Sequence, residues 1–295
     1  MPNLKDIRDR IGSVKNTKKI TSAMKLVAAA KLRRAQDAVQ AARPYAAKMS
    51  SVIGELVGRV EEDAHPLLQS RDTEGTILVI LLTSDRGLCG GFNANLLRGF
   101  DRFAKDKLDV ADEIKVMTVG RKGFQYVNRT PYLELVENFT DVLGGIDFAD
   151  AKRIAQKAIS MFTNQEVDKV YLVYNEFVSA IQVNQIVRPI LPMSRLEEDA
   201  GKAVATDGGE EYIYEPSEQE LLAHLLPNSI EIAVFQALLE SEAAFLGSQM
   251  TAMDNATSNA EEMIDSLSLQ YNRARQAYIT KELVEIVSGA ESLKG

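Results

Sequence analysis

Residues 4–56, LKDIRDRIGSVKNTKKITSAMKLVAAAKLRRAQDAVQAARPYAAKMSSVIGEL, carry an apolar pattern that repeats every seven residues. The two series that repeat are Leu4, Ile11, Lys18, Lys25, Leu32, Val39, Ala46 and Ile53, and Ile7, Val14, Thr21, Ala28, Ala35, Ala42, Met49 and Leu56. Seven residues is the period of a coiled coil, so residues 1–59 are predicted to form one long helix. Pro44 is expected to kink this helix or to leave a gap in its hydrogen bonding.

Two lysines interrupt the apolar surface of this helix. Lys18 and Lys25 both fall in the first series, and a second apolar stripe lies beside them. That stripe consists of Ile20, Met24 and Val27. The pattern therefore predicts that the packed surface migrates around the helix near these residues.

Residues 217–290 repeat the pattern at the other end of the chain. The recurring positions are Ile232, Leu239, Leu246, Met253, Ala260, Leu267 and Ala274, with Phe235, Ala256, Met263, Ala277 and Val284 as companions and Glu242, Gln249 and Gln270 as polar breaks. Pro227 predicts an interruption, after which Asn228 or Ser229 could cap a new helix. Each helix would be on the order of 80–100 Å long. Because such helices are unstable alone, the two are predicted to pair as an antiparallel coiled coil.

Residues 75–195 have a different pattern. TILVILLTS at 76–84 predicts a buried strand, and EIKVMTVG at 113–120 predicts a second one. Helices are predicted near 92–108, 122–128 and 147–162, and two paired strands follow within 167–192. Strands that alternate with helices indicate an α/β, Rossmann-like domain inserted between the two long helices. Residues 196–216 are predicted to form a connector and foot.

Composition excludes several classes of protein. Of the 295 residues, 45% are hydrophobic and 26% are charged, which is typical of a folded domain rather than a disordered chain. No apolar run approaches the length of a membrane helix, and the N-terminus resembles no targeting segment. The single cysteine, Cys89, excludes an internal disulfide, and with only two histidines a His/Cys metal site is not expected.

Charge is distributed unevenly along the chain. Residues 1–59 contain 13 Lys and Arg against 4 Asp and Glu, whereas residues 217–295 contain 4 against 12. Oppositely charged ends favour pairing with each other or with charged partners. The basic segment 15–36 could indicate nucleic-acid binding, but it lacks the aromatic residues that stack on single strands. A protein partner is favoured.

Three short segments admit two interpretations each. SDRGLCGGFN at 84–93 could cradle a phosphate or form a tight turn, and it lacks the Lys-Ser/Thr of a P-loop. Carboxylates in EEYIYEP at 210–216 could act as acid/base groups or form a contact patch. Polar residues within 273–290 could bind a partner or simply face solvent. Two alternative functions stay open: an α/β enzyme with a nucleotide pocket at 84–93, and a basic coiled coil that binds nucleic acid.

Four segments together resemble the γ subunits of bacterial F-type ATP synthases. They are IRDRIGSVKNTKKITSAMKLVAAAKLRRAQ (7–36), SDRGLCGGFN (84–93), YIYEP (212–216) and SQMTAMDNATSNAEEMIDSLSLQYNRARQAYITKELVEIVSGA (248–290). The resemblance spans the chain in order. It implies a non-catalytic central-stalk rotor that couples ion-driven rotation of the c-ring to ATP synthesis or hydrolysis at the β subunits, and that regulates ATPase activity and ion flow.

The resemblance also implies roles for particular residues. The residues expected to contact β are Met24, Lys25, Arg275, Gln276 and Thr280. Those expected to contact the c-ring and the ε subunit are Tyr212, Tyr214 and Glu215. Those expected to enter the apolar sleeve at the top of the ring are Val284, Ile286 and Val287. No catalytic, metal-binding or cofactor-binding residue is implied.

The implied partners are three α and three β subunits around the coil, the ε subunit and the c-ring. No nucleic acid is implied. The implied location is the cytoplasmic face of the bacterial plasma membrane, reached only through the c-ring. Thiol regulation is not expected, because residues 193–216 contain no cysteine.

Overall fold

A computed structural model describes residues 4–58, 60, 62–71, 75–193 and 218–292. Two long helices, α1 (Leu4–Val57) and α5 (Glu218–Ser292), enclose an α/β segment in the sequence. The elements between them are a 3-10 turn (Glu62–Ala64), β1 (Thr76–Leu82), α2 (Phe92–Leu108), β2 (Glu113–Val119), α3 (Arg121–Val127), β3 (Glu134–Phe139), α4 (Phe148–Thr163), β4 (Lys169–Phe177) and β5 (Val183–Leu191). The predicted fold class is therefore confirmed.

The chain divides into two compact units. We call residues 1–29 with 249–295 the terminal coil, and residues 30–248 the sheet unit. Segments of both long helices contribute to each unit. The antiparallel pairing is visible in each: Lys18 contacts Glu261 in the terminal coil, and Arg43 contacts Glu240 in the sheet unit.

The sheet unit is built on five strands in the order β3-β2-β1-β4-β5. Neighbours among the first four strands are parallel, and β5 is antiparallel to β4. Alternate residues of β1 face opposite sides of the sheet. Leu78, Ile80 and Leu82 pack with α4, α5 and the end of α1. Ile77, Val79 and Leu81 pack with α2 and α3.

Strand β3 was missed by the sequence analysis. It is an edge strand that pairs only with β2 among the described elements, and most of its residues are half-exposed or exposed. Its sequence ELVENF mixes apolar and charged residues without the long apolar run of β1. An edge strand has a neighbouring strand on one side only, so it is less buried and its sequence needs no long apolar run.

The terminal coil keeps a regular seam, so the predicted migration of that seam is wrong. Thr21 and Ala28 stay buried in phase with Ile7, whereas Ile20 and Val27 are 60% and 58% exposed. Lys18 and Lys25 remain at seam level because their ammonium groups bind Glu261 and Asp254 on α5. Long lysine stems can cover apolar surface while the charged ends reach a partner.

The companion series on α5 also differs from the prediction. Met263 is 45% exposed. The residues that alternate with Met253, Ala260 and Leu267 toward α1 are instead Thr257, Ile264 and Tyr271, which are partly buried. Thr257 donates its hydroxyl to Thr21 Oγ1 at 2.8 Å, which places this second series at the helix interface.

Neither proline ends its helix. Helix α1 continues through Pro44 and helix α5 through Pro227, so the interruption predicted at Pro227 is wrong. Ser229 does not cap a new helix either, because its hydroxyl donates to the Leu226 carbonyl at 2.7 Å. Packing explains the continuity: Leu226 and Ile230 on either side of Pro227 are buried in the core with Leu67 and Leu68. Tertiary contacts outweigh the single hydrogen bond that a proline removes.

Within the described residues, α5 is also the one helix long and apolar enough, by length and composition alone, to cross a membrane. The apolar runs of the sequence predict no segment of this kind, so the finding differs from the prediction. Core helices meet the same two criteria when they are buried on several sides. Residues 230–247 of α5 are largely buried. They pack against the sheet, α1 and α4, which accounts for their apolar composition.

Candidate functional site

The glycine-rich loop after β1 is closed by its own hydrogen bonds. The Ser84 amide donates to Asn93 Oδ1 at 3.0 Å, and Asn93 Nδ2 donates to Ser84 Oγ at 2.8 Å and to Cys89 Sγ at 3.3 Å. The backbone turns through positive φ at Leu88 (63°) and Gly90 (56°). This is the geometry of a tight turn, the second of the two interpretations offered for residues 84–93.

The same loop packs against α5. Cys89 and Phe92 form a buried cluster with Ala244, and the Phe92 and Phe245 rings meet edge to face at 5.7 Å. Burial raises the pKa of the Cys89 thiol above its ordinary value. A thiol that is buried and protonated is a poor nucleophile. Cys89 therefore acts as a packing residue.

Helix α5 also covers the position where open α/β sheets commonly bind ligands. That position is the crevice outside the carboxyl ends of the strands, where the strand order reverses, which here is between β1 and β4. A Cβ added at Gly247 would lie 3.2 Å from the Ala180 Cα and 3.4 Å from the Phe177 ring. With Phe245 against the loop after β1 and Gly247 against the loop after β4, the helix itself fills this crevice.

One buried carboxylate joins three elements beside this crevice. Glu240 of α5 has a side chain only 3% exposed, and its Oε1 accepts from Arg43 Nε at 3.1 Å and Nη2 at 2.9 Å. Its Oε2 accepts from the Phe177 amide at the end of β4, 3.1 Å away. Arg43 Nη2 also lies 3.5 Å from the Phe177 carbonyl oxygen. Helices α1 and α5 are thus tied to the sheet through one ionic group.

Asp85 connects the loops at the carboxyl edge of the sheet. Its two oxygens accept from the backbone amides of Arg121, at 3.1 Å, and Asp141, at 3.2 Å. These amides follow β2 and β3, so a single side chain after β1 fixes the loops of three strands. The acidic residue in SDRGLCGGFN therefore has a structural explanation.

The predicted partner-binding residues lie in several surroundings. Met24 is half-buried, and Lys25 is paired with Asp254 Oδ1 at 2.6 Å. The predicted residues of the C-terminal segment are all exposed: Arg275, Gln276, Thr280, Val284, Ile286 and Val287. Tyr212, Tyr214 and Glu215 lie outside the described residues.

Two groups of exposed apolar side chains were not assigned to a site by the sequence analysis. Ile20, Leu26 and Val27 of α1 are 58–67% exposed. Tyr278, Ile279 and Leu283 of α5 are 46–57% exposed, beside the predicted sleeve residues. The signal that could have found the first group is the heptad phase, because these residues lie off the seam positions.

Full-length relatives identify the family. A family model described as ATP synthase matches residues 3–293. The chain is 49% identical over 297 residues to the ATP synthase gamma chain of Trichlorobacter lovleyi, and the match covers 100% of each chain. It is 50% identical, with the same full coverage, to the ATP synthase gamma chain of Anaeromyxobacter sp. strain K. The chain belongs to the ATP synthase γ chain family.

Solved structures share the γ chain fold. A chain of the central stalk and c-ring structure of Tetrahymena thermophila mitochondrial ATP synthase matches with a TM-score of 0.61 and 25% identity, over 80% of this chain and 99% of that one. A chain of the Euglena gracilis mitochondrial ATP synthase rotor matches with a TM-score of 0.65 and 18% identity, over 94% and 98%. Among the residues that the structure describes, no group of three or more His, Cys, Asp or Glu could hold a metal ion.

Proposed function

We propose that this chain is the central-stalk rotor subunit of an F-type ATP synthase and has no catalytic site of its own. The observation that carries the proposal is the exposed end of α5. From Arg275 to Gly289 every residue is exposed, including the apolar Ile279, Leu283 and Ile286. A helix segment that leaves apolar side chains in water marks an interaction surface. A rotor inserted into a ring of larger subunits needs such an end.

The β-facing surface is proposed to combine the predicted contact residues of both long helices with a group of exposed apolar residues on α1. Arg275, Gln276 and Thr280 form one exposed polar group on α5. On α1, the exposed Ile20, Leu26 and Val27 lie among Lys19, Lys31 and other cations. An apolar surface rimmed by positive charge fits a partner surface that is acidic at its edge. Met24 and Lys25 lie beside this surface in the sequence.

The three α and three β subunits would meet different faces of the rotor. The terminal coil offers such asymmetry: Ile20 and Val27 are exposed on α1, whereas Lys18 and Lys25 are paired toward α5. Contacts that differ between the faces would favour a different conformation of each β site as the coil turns. The chain would thereby regulate ATPase activity and ion flow through the complex.

Residues Val284, Ile286 and Val287 are proposed to enter the apolar sleeve of the ring. Their exposed fractions are 57–65%, which is high for aliphatic side chains. Tyr212, Tyr214 and Glu215 are proposed to contact the c-ring and the ε subunit. The chain would then lie at the cytoplasmic face of the plasma membrane, held there through the c-ring.

Reconstitution with the α, β, ε and c subunits tests this proposal. Replacing Arg275 and Gln276 with Ala should lower ATP synthesis and ATP hydrolysis in the assembled complex, because both side chains are free to contact β. The matched control is Arg98→Gln, because the Arg98 side chain donates to the Ala94 carbonyl and to Asn95 Oδ1, both within α2. Unchanged synthesis and hydrolysis in the double variant would contradict the assignment of these two residues. Nucleotide binding by the isolated chain would instead support an α/β enzyme.

A further inference from the structure

Arg43, Glu240 and the Phe177 backbone form a hydrogen-bonded group that joins α1, α5 and β4, which we call the ionic tie. Three donors from two different elements converge on one carboxylate: two nitrogens of Arg43 from α1 and the backbone amide of Phe177 from β4. Arg43 Nη2 also lies 3.5 Å from the Phe177 carbonyl oxygen, so each of the three residues contacts the other two. Any sliding of α1, α5 or β4 relative to the other two must break at least one of these bonds.

Stability alone does not account for a buried charge at this position. A carboxylate that is 3% exposed loses most of its hydration, and well-packed apolar residues of similar size often stabilise a protein as well or better. One turn away on the same side of α5, Ala237, Ala243 and Ala244 are buried and apolar, whereas the Arg43 side chain is 50% exposed. An apolar residue at position 240 would therefore suit the buried side of the pair, and the choice of a carboxylate there needs another explanation.

The directional character of hydrogen bonds supplies that explanation. Apolar packing depends little on direction, whereas hydrogen bonds weaken steeply when donor and acceptor are displaced. Removing one partner of a buried ionic group also leaves an uncompensated charge, which is strongly unfavourable. A tie of this kind resists small lateral displacements better than contact between aliphatic side chains does.

We propose that Arg43 and Glu240 are positioning residues through which twisting force passes between the sheet and the two long helices within the sheet unit. This inference rests on the proposed rotor function. Force applied to the sheet reaches the Phe177 amide at the end of β4, passes to Glu240 on α5, and from there to Arg43 on α1. Both helices are thereby turned together with the sheet.

Ion pumping in membrane vesicles that contain the complete complex tests the proposal. Glu240→Gln keeps an oxygen that can accept from the Phe177 amide but removes the charge that binds Arg43. Arg43→Lys keeps the charge but cannot bind Glu240 and the Phe177 carbonyl together. We expect both variants to hydrolyse ATP while losing ion pumping per ATP hydrolysed. Arg98→Gln, the control outside the tie, should pump at the wild-type ratio.

A double variant separates a structural role from force transmission. Arg43→Met combined with Glu240→Met removes both charges, so neither is left uncompensated. We expect the urea midpoint of the double variant to exceed that of Arg43→Met alone, with ion pumping still reduced. If the double variant recovered wild-type ion pumping together with its urea midpoint, the proposal would be overturned. Wild-type pumping ratios in Arg43→Lys and Glu240→Gln would also overturn it. If the wild-type chain supported no pumping at all, the rotor function would fail instead.

Discussion

Lys25 of α1 and Asp254 of α5 form an ion pair with 2.6 Å between Nζ and Oδ1. Lys18 and Glu261 form a second pair at 2.7 Å, and Thr21 meets Thr257 between them. Three successive levels of the seam are therefore polar and matched across the two helices. This arrangement replaces the migrating apolar surface that the sequence predicted.

The first prediction concerns how much the Lys25–Asp254 ion pair contributes to the free energy of unfolding. Its side chains are 40% and 53% exposed, so solvent screens the interaction. A double-mutant cycle with Lys25→Ala and Asp254→Ala should give a coupling free energy of about 0.2–1 kcal/mol from urea unfolding. A coupling free energy several times larger would mean that the pair is screened far less than its exposure implies.

The second prediction concerns Gly120 at the end of β2. Its φ is +92°, and an added Cβ would lie 2.1 Å from the Thr83 carbonyl oxygen. Gly120→Ala should therefore lower the free energy of unfolding by roughly 2–4 kcal/mol. The matched control is Gly12→Ala within α1, where an added Cβ meets nothing within 4 Å. That change should stabilise the protein by about 0.5–1 kcal/mol, because alanine favours helix.

The third prediction concerns Ser241 on α5. Its residue is fully buried, and its Oγ has no hydrogen-bond partner among the described residues. Ser241→Ala should leave the free energy of unfolding unchanged or raise it by about 1 kcal/mol, since it removes an unsatisfied polar atom. Thr83→Val is the contrasting variant. The Thr83 hydroxyl donates to the Val119 carbonyl and accepts from the Gly123 amide, so its loss should destabilise the protein by about 1–3 kcal/mol.

The fourth prediction concerns the pH dependence that Asp101 contributes. Hydrogen bonds from Lys105, Tyr126 and Tyr132 lower the pKa of Asp101 from 3.8 to about 2. Because the folded-state pKa is the lower one, its stabilising effect is complete above pH 4 and disappears as the pH falls from about 4 to about 2. The difference in urea midpoint between wild type and Asp101→Asn should therefore shrink over that range. A constant difference would contradict this assignment of the pKa.

Much of the fold could be predicted from the sequence, because the patterns that determine these elements are local. The heptad residues of α1 and the apolar run of β1 each determine one element with little help from distant contacts. The elements that sequence reasoning missed depend on tertiary surroundings. Strand β3 is stabilised by its pairing with β2, and the helix through Pro227 by packing of Leu226 and Ile230 against Leu67.

The candidate site was only partly predictable for the same reason. Exposure of Arg275 and Ile286 follows from their place near the end of α5, which is apparent in the sequence. The partner of Glu240 is not, because Arg43 lies 197 residues away in the chain and Phe177 contributes only its backbone. Backbone donors leave no mark in a sequence pattern. The ionic tie therefore became visible only in the folded chain.

Single-molecule rotation tests the central claim most directly. The α and β subunits would be fixed to a surface and a bead attached to a cysteine introduced at Lys157 on α4, a site outside the proposed contacts, after replacing Cys89 with Ala. We predict that ATP drives sustained rotation of the bead in one direction. ATP hydrolysis by the assembled complex while the bead stays still relative to α and β would contradict the account.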